Sequence, residues 1–195
     1  MKKLTAPFIT AVILCLTFFS VTKAQGQSWY NASWLYRKAI TIDYTKVGAG
    51  PHTNFPVLIS RADADLQVRA QADGDDILFT SSDGTTKLAH EIESYTSASG
   101  TIVAWVEIPS LSSSANTVIY MYYGNGAATS QQNVTGTWEA NFRGVYHLNN
   151  TVLDATANNY DGANAGTYDM PGKISRGRGY NPNDGIADKI TVTGL

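Results

Sequence analysis

Asp73-Gly-Asp-Asp-Ile-Leu-Phe-Thr80, Asp83-Gly84, Leu88-Ala-His-Glu-Ile-Glu93, Ala104-Trp-Val-Glu-Ile-Pro109 and Val118-Ile-Tyr-Met-Tyr-Tyr123 decide the fold of this chain. Each short apolar run alternates with polar residues and is bounded by a cluster of Gly, Asp, Ser or Pro. Successive side chains of a strand point to opposite faces, so alternation punctuated by turn residues predicts antiparallel strands with tight connections. The reading places strands at 76–80, 87–95, 101–108 and 117–123.

Upstream, Lys38, Ile40, Ile42 and Tyr44 alternate with Arg37, Ala39, Thr41 and Asp43, which predicts a first strand with one face on a core. A Gly-Ala-Gly-Pro turn follows. Asn54-Phe-Pro-Val-Leu-Ile59 then reads as a second strand whose Pro56 places it at an edge or a strand start. Residues 61–72 are Ala-rich and largely unbranched and read as one short helix, the helical candidate, or an irregular turn. Turn signals at this spacing over about 100 residues predict an antiparallel β-sandwich, assigned to 28–133. Gly124 to Asn133 is small, polar and uncharged and reads as a linker or surface loop. A second unit opens at Thr137-Trp-Glu-Ala-Asn-Phe142 and Gly144-Val-Tyr-His-Leu148 and continues through Gly172-Lys-Ile174 to Lys189-Ile-Thr-Val-Thr193. A jelly roll needs roughly 80 residues for its eight strands, so 138–195 is expected to be the incomplete opening of one.

The first residues address the compartment. Lys2 and Lys3 precede an apolar run from Phe8 to Val21 and the small-residue exit Val21-Thr-Lys-Ala24, which is the pattern of a secretory signal peptide, 1–24. The protein is therefore expected to be secreted or extracellular, at the cell surface in one version, with no membrane insertion after signal removal. Cys15 leaves with the signal, so no disulfide is expected in the mature chain. Cleavage removes three lysines and no acids, leaving 11 basic against 16 acidic residues, a charge of about −5. That balance argues against nucleic acid as a partner.

Trp34-Leu-Tyr-Arg-Lys-Ala-Ile-Thr-Ile42, Asn54-Phe-Pro-Val-Leu-Ile59, Asp73-Gly-Asp-Asp-Ile77, His90-Glu-Ile-Glu93, Ala104-Trp105 and Ile119-Tyr-Met-Tyr-Tyr-Gly-Asn125 resemble a bacterial secreted β-domain family, a domain of unknown function. That family occurs ahead of laminin-G modules and in some MotA/TolQ/ExbB-type proteins. Trp138, Phe142, Gly144-Val-Tyr-His-Leu148, Asp154, Asn158, Gly162 and Gly172-Lys-Ile174 resemble the start of a concanavalin-A-like, laminin-G-type domain; Ser175-Arg-Gly-Arg-Gly-Tyr-Asn181 departs from its pattern. The resemblance implies fold and architecture and brings no catalytic residues.

Glu91 and Glu93 share a strand face roughly 6.5–7 Å apart, a pair that glycoside hydrolysis could use. No third acid follows, and a polar outer face explains both. Asp73, Asp75, Asp76 and Asp83 admit calcium or ordinary turns, as do Asp154, Asn158 and Asp161. Trp105 alternates against Ala104, Val106 and Ile108, so either one set faces out or the strand is covered on both faces. Trp29, Tyr30, Trp34 and Tyr36 are candidates for an exposed sugar platform or a cover over the sandwich end. His52, His90 and His147 lie far apart, with no Cys partner and no nucleophile elbow, which argues against zinc or serine-hydrolase chemistry. The expected function is non-catalytic recognition of a polysaccharide, surface glycan or cell-surface protein, with Trp29, Trp34, Tyr36, Trp105, Glu91 and Glu93 as ligand-binding candidates. A glycoside hydrolase or its accessory domain, and a structural spacer, are the alternatives.

Overall fold

Two three-stranded antiparallel sheets share the main core. The computed structural model describes residues 28–50 and 52–194; the expected signal segment lies outside them. Strands β1 (Tyr36–Ile42), β2 (His52–Ala62), β3 (Leu78–Thr80), β4 (His90–Thr96), β5 (Thr101–Leu111) and β6 (Thr117–Tyr123) are arranged as β1-β6-β3 in the first sheet and β2-β5-β4 in the second. Alternation sets which side chains meet between them. Ile59, Ile102, Ala104, Val106 and Ile108 from the second sheet join Phe79, Ile119 and Met121 from the first in one buried apolar cluster. The fold is thus all-β and sandwich-like.

Local chemistry explains the departures from the expected strand bounds. The strand expected at 76–80 begins at Leu78, because Asp76 is buried and turns its carboxylate onto the backbone N–H groups of Gln71, Gly124 and Asn125. Lys87 and Leu88 stay outside β4: Lys87 bridges to Thr80 and the Leu88 N–H bonds to Phe79, so 81–88 crosses from one sheet to the other. Pro56 lies in β2, an edge strand, where a missing N–H is tolerated.

The helical candidate is one short helix, α1 (Ala64–Arg69), with Leu66 driven into the core. Asp63 caps it by accepting from the Asp65 N–H and also pairs with Lys38 and Arg61. Burial alone would raise the Asp63 carboxyl, but the Lys38 hydrogen bond, the cap N–H and both cations hold it below the ordinary range.

Downstream lie a helical turn, α2 (Val134–Thr137), and the short strands β7 (Gly162–Ala165), β8 (Tyr168–Pro171), β9 (Arg176–Gly179) and β10 (Lys189–Val192). They form two antiparallel pairs, β7 with β10 and β8 with β9. Residues 125–128 lie against Gln71 and Asp76, and the segment then reaches β4, where Gln132 accepts from the Ile92 N–H and the Asn133 N–H bonds to the His90 carbonyl. No helix among the described residues is long and apolar enough to cross a membrane.

Candidate functional site

Glu91 and Glu93 are brought together with a residue far away in sequence. In the β4–β5 ladder Glu91 pairs with Trp105 and Ile92 with Ala104, but the next pair is Ser94 with Val103. Glu93 is the extra residue of a β-bulge, a device that re-aims a side chain. Both carboxylates meet His147: Nε2 lies 3.0 Å from Glu91 Oε2, and Nδ1 lies 3.2 Å from Glu93 Oε2. The Trp138 indole N–H donates to Glu91 and the Trp105 indole N–H donates to Glu93, each at 2.9 Å. The side chains of His147, Glu91 and Glu93 are only 11%, 12% and 3% exposed.

An ionised carboxylate only accepts hydrogen bonds, so an imidazole between two of them must donate from both nitrogens and is the imidazolium. Burial lowers the His147 pKa, but the hydrogen bonds and charges of Glu91 and Glu93 outweigh it and push it up to about 9. Burial would raise the Glu93 carboxyl; hydrogen bonds from His147 and Trp105 and the imidazolium charge hold it below the ordinary range.

Two local structures deliver His147 and Trp138. Asn133 caps α2 by accepting from the Gly136 N–H, and with its own N–H on β4 it sets where Trp138 lands. Asp154 accepts from the N–H groups of Val145, Thr156 and Tyr160, while Asn158 donates to the carbonyls of Phe142 and Arg143. This loop grips 142–145 and holds His147 over the sheet. The oxygens weighed for calcium are largely committed to backbone: Asp154 as described, Asp161 to the Asp154 N–H, Asp76 to three N–H groups, Asp73 to Asp75 and Asp83 to Thr85 and Thr86. Among the described residues no group of three His, Cys, Asp or Glu side chains has an arrangement that could hold a metal ion, His147 being engaged with both carboxylates by its two ring nitrogens.

The aromatic rings continue outward from the ion cluster. Trp138 lies 5.4 Å from Trp105, 5.7 Å from His147 and 5.5 Å from Phe142, centroid to centroid. They wall a groove of about 550 Å³ with Phe55 and Tyr146, while Glu93, His147 and Arg176 supply its polar groups. The volume is that of a small-molecule site, which is mostly apolar with a few placed polar groups. Trp105 is therefore half-buried on the outer face of β5, covered by the downstream segment.

The other sequence candidates lie elsewhere. Trp34 is buried, 7% exposed, and its indole N–H donates to the Asp76 carbonyl, so it is a core residue with no free face for a sugar. Tyr36 is half-buried, stacked on Tyr123 with Arg69 over its ring. Trp29 is 41% exposed, but Arg37 sits 4.7 Å from its ring centroid. Phe55, Trp138, Phe142 and His147 were not among the candidates. Trp138, Phe142 and His147 belong in sequence to a motif opening the second unit, His147 being otherwise set aside as a zinc ligand, and nothing in that motif signals a partner 56 residues upstream.

Residues 73–165 match the model of a domain of unknown function (DUF2341). The match includes Glu91, Glu93, Trp105, Trp138, Phe142 and His147, and it supports the resemblance to a family of unknown function. Neither a curated protein nor a solved structure matches the chain.

Proposed function

We propose that the protein is a secreted or cell-surface, non-catalytic recognition module that binds a polysaccharide or surface glycan in the groove walled by Phe55, Trp105, Trp138 and Phe142. The observation that carries this reading is the combination of clustered aromatic faces with Glu93, His147 and Arg176 at one concave site. A sugar presents an apolar face that stacks on a ring and hydroxyls that seek polar groups at its margin. An antiparallel β-sandwich built from the two sheets and a concanavalin-A-like, laminin-G-type unit over 138–195 are both part of the proposal. Export rests on the 1–24 signal pattern, and adhesion through a cell-surface protein is the alternative role.

The glycoside-hydrolase reading has less support. Such a pair needs one carboxyl to deliver a proton and the other to attack or activate water. Here both carboxylates accept from the same imidazolium and from an indole each. A glycan array tests the proposal. Phe55→Ala, at a ring 44% exposed, should abolish binding, while Trp29→Ala should leave it intact. An array that stays blank, or binding lost with Trp29→Ala and kept with Phe55→Ala, would refute the groove.

The spacer reading is favoured by one observation, the fastening of 138–147 to β4 through His147. Limited proteolysis of Glu91→Gln, Glu93→Gln protein should then open cleavage sites between 138 and 155 that the parent resists.

A further inference from the structure

The same sheet arrangement leaves one margin of the molecule open. β1 and β2 are outer strands of different sheets and are not paired with each other. At the opposite margin the Thr80 to Lys87 bridge and the Leu88 to Phe79 hydrogen bond stitch the sheets together. Between β1 and β2 a depression of about 330 Å³ is lined by Ile40, Ile42, Val57 and Ile59 together with Thr41, Ser60 and Arg61. It runs into a chamber of about 460 Å³ through the shared Ile42, Val57 and Leu58, and Val47 and Leu111 complete the chamber's apolar floor. That chamber meets the aromatic groove at Phe55, Pro56 and Trp105, which line both.

The polarity changes at that junction. The groove holds Glu93, His147 and Arg176, whereas among the described residues the chamber's polar side chains are Lys46, which is exposed, His52, whose Nε2 is directed to the Gly48 carbonyl, and Trp105, whose indole N–H is committed to Glu93. A second sugar ring would find no hydrogen-bonding side chain in the chamber floor, and its hydroxyls would be stripped of water without replacement. An alkyl chain loses nothing there and gains by leaving water. Asn54, at φ 49°, is left-handed within β2, and the next residue, Phe55, stands at the junction with its ring 44% exposed.

We propose that the ligand is an acylated glycan, with its sugar head on the aromatic groove and its alkyl chain in the adjoining chamber. The assignment rests on the glycan reading for its head group alone; the tail site stands on the chamber. The test is titration of the whole protein with n-alkyl maltosides bearing six, eight and ten carbons, below their micelle-forming concentrations, with maltose as the tail-free control. Affinity should rise up to about fourfold for each added methylene. Gly48→Leu should flatten that rise, because Gly48 lines the chamber and a Cβ there would meet no atom within 4 Å; its urea unfolding midpoint should match the parent's. Affinity independent of tail length, no binding across the series, or an unchanged slope in Gly48→Leu would each overturn the tail site. The glycan array is read separately, so a blank array with a rising alkyl series would refute the head-group reading and retain the chamber.

Discussion

Raising the pH should loosen the molecule at His147, by an amount that follows from the structure. The imidazolium pKa rises from 6.5 to about 9 on folding. At about 1.4 kcal/mol for each pH unit, that is worth about 3 kcal/mol. A base whose pKa is raised on folding stabilises fully below its unfolded value, and the contribution disappears as pH climbs through the folded one. Most of it, about 2.5 kcal/mol, should therefore be lost between pH 7 and 9.5. Little discount for solvent screening applies, since all three side chains are at most 12% exposed. Urea unfolding followed by tryptophan fluorescence measures this directly, because Trp105 and Trp138 donate to the same carboxylates. The Glu91→Gln, Glu93→Gln variant should be less stable at pH 7 yet nearly flat over the same range, its imidazole having no anions to hold the proton. A parallel fall in that variant, or a His147 resonance titrating near 6.5 in the folded parent, would refute the clamp.

Acid should destabilise the protein through His90, which is fully buried against Phe79; burial holds its pKa at about 4 despite a backbone hydrogen bond from the ring. Stability should therefore fall by about 3 kcal/mol between pH 6.5 and 4, and His90→Leu should remove that slope in acid denaturation while the Glu93 contribution is still lost as pH falls below 4.5. Trp34→Ala should cost about 3–5 kcal/mol, the range for emptying a buried aromatic site, so a lowered Tm will precede any effect on binding. Asp76→Ala strands three backbone N–H groups and should cost about 3 kcal/mol or more, with hydrogen exchange at Gly124 and Asn125 quickening at the same time.

Much of the β-structure was legible because strand alternation is a local property. The period-two pattern in 101–108 predicts β5, and the Ala-rich stretch 61–72 points to a short helix or a turn where α1 lies. The strand at 76–80 was read too long because the demand on Asp76 comes from Gly124 and Asn125, outside any local window. The bulge at Glu93 was equally hidden, since a bulge is a mismatch between two strands and neither strand contains it alone. Glu91, Glu93 and Trp105 were readable as candidates by type and face, while Phe55, Trp138, Phe142 and His147, which complete the groove, were not.

By itself the sequence determined the class of fold, through alternation and turn residues, and it placed Glu91 and Glu93 on a face opposite His90 and Ile92. It could not determine what covers that face. Val103, Trp105 and Glu107 alternate with Ile102, Ala104, Val106 and Ile108, and one-dimensional periodicity ranks neither set as the inner one. Only the tertiary structure, by carrying Trp138 and His147 back onto β4 and β5, decided that both faces are covered at Trp105 and that the two carboxylates on one strand hold an imidazolium between them. The physical reason is that a charge is defined by its surroundings: a carboxylate's role depends on which donors reach it in space, and donors 47 and 56 residues away leave no mark on the residues beside it.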